Sequence, residues 1–240
     1  MGLRGFEFED QPWFPSSLRR WQMDYIRFSV SLLRPYKKMK PPFESTVERQ
    51  EWLDLASGSG GPLIEIHKAW QKRTKGPLIV HRSDRFPNDE TILELDVLEQ
   101  PLPKANGYTM FNAFHHFDRD QQASILSKMS KGDWALVAEP LNRNLFTFLG
   151  VFLLTGPLHF VLAPFVSPFS WRRIFFTYLI PIVPVVTCWD GLVSVLRTPT
   201  LRHLRHLAEE ASNLEYQWKA IAVPFVFGRV AILVGNRTLP

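Results

Sequence analysis

The segment EWLDLASGSGGP, residues 51–62, constrains this chain more than any other stretch. An apolar run ends at Asp54 and Leu55. Six small residues follow (Ala56, Ser57, Gly58, Ser59, Gly60 and Gly61), and Pro62 then opens a helix-compatible segment. Small side chains let the backbone turn sharply and let a ligand approach without a Cβ clash. The free N–H groups of the helix start add partial positive charge. Such a strand–turn–helix unit suits a parallel sheet that binds its ligand at the carboxyl edge of the strands.

The surrounding sequence keeps that rhythm. Trp52–Ala56, Leu78–His81, Ile92–Leu95, Tyr108–Ala113 and Trp134–Ala138 read as buried strands. Leu63–Arg73 and Asp118–Lys131 read as helices, the second capped by Asp118, with Ala123, Leu126 and Met129 inward and Gly132 as its stop. After an interruption, Thr198 and Pro199 predict a helix start, with Leu201, Leu204, Leu207 and Ala211 on its buried face. Tyr216–Val223 and Arg229–Val234 then predict an antiparallel hairpin at the sheet edge. Alternation of this kind indicates an α/β domain, and 240 residues fit one such domain carrying an insertion.

The interruption has its own character. From Asn144 to Trp171 there is no Asp, Glu, Lys or Arg, and Ile174 to Trp189 is a second uncharged run. The first is long enough to cross a bilayer, but Gly156, Pro157, Pro164 and Pro168 break it, as Pro181 and Pro184 break the second. Short helices in a monotopic or re-entrant membrane contact, a true span, and an apolar lid inside a soluble protein are the readings open here. Flanking arginines with Trp171 and Trp189 suit a headgroup zone. Ser16–Leu33 reads as a further amphipathic helix, with Leu18, Trp21, Tyr25, Phe28 and Leu32 in its stripe and arginines beside it. It either packs on the domain or lies on a membrane.

Composition excludes several classes. Hydrophobic residues at 45% and charged residues at 21% rule out wholesale disorder. A mean hydropathy of -0.09 rules out a polytopic membrane protein. One cysteine, Cys188, excludes a disulfide framework and any multi-cysteine zinc site, and fits a reducing compartment. The net charge of +5 is spread thinly, and the aromatic residues gather in the uncharged insertion, so nucleic acid is not an expected partner. His203 and His206 stand at helical i and i+3, but a third ligand is missing and arginines flank them. No metal site is expected.

Two nucleotide patterns compete for the glycine-rich bend. Counted from Gly58, the third small position of a dinucleotide fingerprint falls on Leu63, and the match fails. The alternative, an acidic strand end followed by small-x-Gly-x-Gly, is met by Asp54, Ala56, Gly58 and Gly60. This pattern resembles motif I of class I S-adenosylmethionine-dependent methyltransferases, with Ala56 where glycine is common. LIVHRSDRFPN puts Asp84 where that family holds the ribose hydroxyls, and LELDVLEQPLP puts Asp96 beside the adenine region. FNAFHHF ends the fourth strand, where donor and acceptor meet. The likeness covers Trp52 to Glu139 and Pro199 to Val234. FEDQPWFPSSLR, SDRFPN, FNAFHHF and CWDGLVSVLRTPT together look like a subgroup of small methyltransferases with a hydrophobic insertion after the fifth strand.

The resemblance implies a Rossmann-like fold: a mostly parallel seven-stranded sheet with an antiparallel C-terminal hairpin and an apolar helical insertion. It divides the chain into an N-terminal helical lid (1–50), a cofactor-binding half (51–140), the insertion (141–197) and a C-terminal part (198–240). It implies S-adenosylmethionine as cofactor, with Asp54, Ala56, Gly58, Gly60, Gly61, Asp84, Asp96 and Asn112 around it. His115 or His116, just past the fourth strand, is expected to accept a proton or orient the acceptor. Glu139 and Asp190 are expected at the acceptor pocket. An insertion rich in Phe146, Phe148, Phe152, Phe160, Phe165, Phe175 and Phe176, hanging over the donor, implies a small hydrophobic acceptor such as a lipid, isoprenoid or quinone-like molecule. The enzyme would then work in the cytoplasm at the inner face of a membrane. A non-catalytic lipid-binding protein that keeps the fold is the alternative.

Overall fold

The computed structural model describes residues 5–44, 49–225 and 228–238. Seven strands form one sheet: β1 (Gln50–Leu55), β2 (Leu78–Asp84), β3 (Ile92–Glu94), β4 (Gly107–Phe111), β5 (Trp134–Glu139), β6 (Tyr216–Phe225) and β7 (Gly228–Arg237). Their order is β3-β2-β1-β4-β5-β7-β6. β1 to β5 run parallel, while β7 is antiparallel to both β5 and β6. The order reverses between β1 and β4, which opens a crevice at their carboxyl ends.

Period-two alternation divides the core between the two faces. Leu53, Leu55, Met110 and Val137 pack on α3 (Arg119–Met129) and α8 (Leu201–Ala211) through Ile125, Leu126, Leu204 and Leu207. On the other face Trp52, Trp134, Leu136 and Ile232 meet Leu63, Ile66 and Trp70 of α2 (Leu63–Gln71). Each such fully buried large side chain contributes about 1.5–3 kcal/mol.

Two helix details differ from the sequence reading. Asp118 caps α3 in a reciprocal pair with Gln121, as expected. Ala123, however, is exposed, and Gln122 is buried because its amide donates to the Phe114 and Phe117 carbonyls at 3.0 Å each. The helix start expected at Thr198 falls two residues later. Thr198 Oγ1 instead bonds back to the Ser194 carbonyl at 2.8 Å, and Thr200 caps α8.

The insertion folds as α4 (Leu145–Thr155), α5 (Pro157–Leu162), α6 (Trp171–Tyr178) and α7 (Ile182–Arg197). The stretch Leu145–Phe165 is long and apolar enough to cross a membrane, and the α6–α7 pair bends by 77°. Large apolar side chains face outward: Leu145 is 71% exposed, Phe165 70% and Trp171 78%.

α1 (Ser16–Leu33) lies between this insertion and the sheet's carboxyl edge. Its Tyr25 hydroxyl donates to Leu154 O at 2.6 Å, and its ring stacks on His159 at 3.7 Å. Asp24 faces Arg173 at 3.7 Å, and Gln22 donates to Asp190 at 2.7 Å. Contact on several sides explains why Arg19, Gln22 and Asp24 are buried, while Leu32 of the expected apolar stripe is exposed. Arg173, read from sequence as a headgroup arginine, is fully buried on α1.

Candidate functional site

The bend after β1 is built on Asp54. Its buried carboxylate accepts from Thr109 Oγ1 at 2.5 Å and Ser57 Oγ at 2.7 Å. Burial pushes this group up to about 7, against the pull of those two hydroxyls. Gly58 and Gly60 take φ of +51° and +68°, and Ala56 takes +50° without being glycine. A left-handed alanine costs roughly 1–2 kcal/mol. Gly61 has a different reason to be small, since a Cβ there would lie 3.1 Å from Arg27 Cα on α1.

Asp84, at the end of β2, turns toward this bend. Its Oδ2 accepts from the Gly58 N–H at 2.8 Å and its Oδ1 from the Phe86 N–H at 2.9 Å. A cavity of about 350 Å³ opens there, lined by the bend, Asp84, Phe86, Asp96 and Asn112. That volume falls within the range of small-ligand sites. Asp96 is held by Arg85 at 3.2 Å, and Asn112 sits at φ +52°. Met23, Ile26, Arg27 and Val30 of α1 form the facing wall.

The residues preceding α1 complete the enclosure. Arg19 donates to the carbonyls of Glu9 and Gln11 at 2.9 and 2.6 Å and lies 4.0 Å over the Phe86 ring. These contacts bring Glu9 and Asp10 to the cavity wall beside His116. His116 Nδ1 lies 2.6 Å from Glu7 and 2.9 Å from Asp10, and its Nε2 lies 3.5 Å from Glu9. Burial works against charge on His116, but Glu7 and Asp10 outweigh it and hold the imidazole well above its usual range. Glu7 is buried too, yet its two histidines and Arg197 bring it down to about 2. For Glu9 burial outweighs the pull of His116 and pushes it up to about 8, with Asp190, Glu7 and Asp10 adding repulsion.

Ala56, Gly58, Gly61, Asp84, Asp96, Asn112 and His116 therefore share one cavity wall. Asp54 and Gly60 lie behind the bend and shape it. Three expected site residues have other surroundings. His115 is fully buried, with its Nδ1 2.9 Å from Glu139, whose second oxygen accepts the His115 backbone N–H at 3.2 Å. Glu139 is thus an inward orienting group. Asp190 accepts from the Phe8 and Glu9 N–H groups at 2.8 and 3.1 Å and anchors the N-terminal arm. None of these three lines this cavity, whereas His116 does, and His115 reaches a neighbouring one.

The phenylalanines of the insertion do not hang over the cavity either, because α1 intervenes. Glu7, His115 and His116 bring donor atoms within 4.8 Å of one another, a spacing the sequence reading did not anticipate. The guanidinium of Arg197, 3.1 Å from Glu7, already supplies positive charge at that point. His203 and His206 pair instead with Gln122 and Glu210. Glu9, Asp10, Arg27 and Phe86 were missed at the sequence level. FEDQPWFPSSLR and SDRFPN contain Glu9, Asp10 and Phe86, but only as parts of a subgroup likeness that gave them no role.

No family model matches the chain, and no curated protein matches it by sequence. Among solved structures it is similar to TnmH, at 16% identity and a TM-score of 0.50, over 89% of this chain and 56% of that one. The O-methyltransferase NcsB1 from neocarzinostatin biosynthesis, solved with S-adenosylmethionine and 2-hydroxy-5-methyl naphthoic acid, aligns at 15% identity and a TM-score of 0.49. That alignment covers 89% of this chain and 55% of NcsB1. An O-methyltransferase family 2 protein from Planctomyces limnophilus DSM 3776, in complex with apigenin, aligns at 15% and 0.48, over 92% of this chain and 62% of that one. The chain spans little more than half the length of these structures. Together with the strand order, the likeness identifies the fold as that of the Rossmann-like class I methyltransferases.

Proposed function

We propose that this chain transfers a methyl group from S-adenosylmethionine to a small acceptor of hydrophobic character, at a membrane surface on the cytoplasmic side. The observation that carries this reading is the convergence of the Ala56–Gly61 bend and the Asp84 carboxylate on one cavity. The fit is good, since a Cβ at Gly58 would be strained at φ +51° and Asp84 keeps lone pairs free beyond its two backbone donors. Asp84 would hold the ribose, Asp96 and Asn112 the adenine side, and Gly58 and Gly61 the backbone approach. When bound, the cofactor would supply an electrophilic methyl group carried on a sulfonium sulfur.

The chain's own residues bind, align and exclude water. Alignment supplies roughly 7–11 kcal/mol of such a barrier. At neutral pH His116 is a cation held between Glu7 and Asp10, so it orients an acceptor oxygen by donating to it. Glu9, raised to about 8, takes the acceptor's proton only in its ionised form, a minority at neutral pH that grows as pH rises toward 8. The outward apolar face of α4 to α7, bordered by Arg143 and Arg172, supports a peripheral membrane contact from which an apolar acceptor is drawn.

The rival reading, a lipid-binding protein that only keeps the fold, leaves the strained bend and the Asp84 contacts without a purpose. Incubation of the full chain with methyl-labelled S-adenosylmethionine and a membrane lipid extract tests the proposal. Label should enter the organic phase with wild type and fall to background with Asp84→Ala. Equal labelling by both proteins would contradict it.

A further inference from the structure

A second cavity, of about 650 Å³, adjoins the first and shares His116, Phe117 and Gln121 with it. Its chemistry differs from the apolar surface of the insertion. Three guanidiniums line it, those of Arg119, Arg143 and Arg197, together with the His203 imidazole, against one carboxylate, Asp118. That carboxylate is engaged in capping α3, where it accepts the Gln121 N–H at 3.0 Å. Arg119 keeps Glu210 at 2.7 Å and Arg197 keeps Glu7 at 3.1 Å, yet each guanidinium has five donors and retains others. Arg143 makes no ion pair with any described residue.

Backbone geometry adds to this positive field. The N-termini of α3 and α8, two helices of 11 residues, both reach the cavity through Asp118, Arg119, Pro199 and Thr200. Helix starts carry partial positive charge and unpaired N–H groups. His203 responds to these surroundings: burial first, then Arg119, His206 and Arg143, hold its imidazole below its usual range.

Resting on the methyltransferase reading, we infer that the second cavity binds an oxyanion of the acceptor, a carboxylate or phosphate, with Arg119, Arg143 and Arg197 as its partners. The acceptor is then an amphipathic acid. Its charged group lies among the arginines, and its reacting hydroxyl reaches the junction at His116, where the two cavities meet. This narrows the hydrophobic acceptor expected from the insertion, because the wall nearest the junction is basic and polar.

Calorimetric titration of decanoate and of decanol into the full chain, with and without S-adenosylhomocysteine, tests the inference. Decanoate should bind once per chain, roughly 10-fold more tightly than decanol, the worth of a charge-assisted hydrogen bond. An R119Q/R143Q double variant, altered only at exposed side chains, should lose that advantage while its affinity for S-adenosylhomocysteine stays within about two-fold. Flotation of an R119Q single variant, which keeps Arg143 at the border of the apolar face, with phosphatidylglycerol vesicles separates the sources of the anion. Unchanged flotation of the single variant assigns the site to a free acid, and lost flotation assigns it to a lipid headgroup. Equal binding of decanoate and decanol, or an advantage that survives in the double variant, would overturn the inference. A wild type that binds decanoate but not S-adenosylhomocysteine would instead overturn the methyltransferase reading and leave the anion site standing.

Discussion

Ala56 shows how a site's needs override a residue's preference. Its φ of +50° lies in a region that alanine enters at a cost, beside two glycines that enter it freely. Ala56→Gly should therefore stabilise the fold by up to about 1 kcal/mol, after the added freedom of the unfolded chain is subtracted. A denaturant midpoint that falls instead would mean the alanine methyl is packed more than it is strained. Glu9 gives a second test. A carboxyl raised from 4.5 to about 8 on folding keeps its proton in the native state after the unfolded chain has lost it. Stability from this group is thus fully present below about pH 4.5 and is lost as pH rises toward 8. Glu9→Gln should flatten that part of the stability profile, and a carbon-detected titration of the wild type should place the Glu9 midpoint near 8. A midpoint near 4.5 would remove Glu9 as the proton acceptor. At this scale the sequence made the bend, Asp84 and Asp96 legible, since each stands at a fixed offset from a strand end. It did not reveal Glu9 or Asp10, because only the folded arm, pinned by Arg19 and Asp190, carries them to the cavity.

Among the elements, α1 joins what sequence periodicity treats as separate. One side lines the cavity beside the glycine-rich bend, and another holds the insertion through Tyr25, Asp24 and Arg173. Helical spacing identified its limits, Ser16 to Leu33, but not its environment. A helix packed on several sides buries polar residues that no single apolar stripe announces. Asp24→Ala leaves the Arg173 guanidinium buried without its carboxylate. This should cost about 3 kcal/mol and lower the melting temperature by roughly 6–12 °C. An unchanged melting temperature would show that the pair does not hold the insertion on α1. The displaced start of α8 teaches the same lesson in miniature. The sequence points to Thr198 as the cap, but Thr198 bonds back to the Ser194 carbonyl and Thr200 caps α8 instead.

The whole molecule presents two faces of opposite character. The helices after β5 expose Leu145, Phe146, Phe165, Trp171 and Leu179, whereas the sheet's carboxyl edge gathers carboxylates, histidines and arginines. The uncharged runs made the first face legible, and strand alternation made the sheet so. The arrangement of the two was not, because the place of α1 between them depends on long-range contacts. Wild-type chain should float with phosphatidylcholine–phosphatidylglycerol liposomes, and a Phe146→Glu, Phe165→Glu, Trp171→Glu variant should remain in the soluble fraction. Wild type that never floats would sink the membrane contact while leaving the cofactor site untouched. That cofactor site is the premise of the enzymatic account, and one calorimetric series addresses it without knowledge of the acceptor. S-adenosylmethionine, S-adenosylhomocysteine and NADH are titrated in turn into the full chain. The account expects both adenosyl sulfur compounds to saturate at one per chain and NADH to give no saturable heat. Saturation by NADH, or silence from all three, would contradict it.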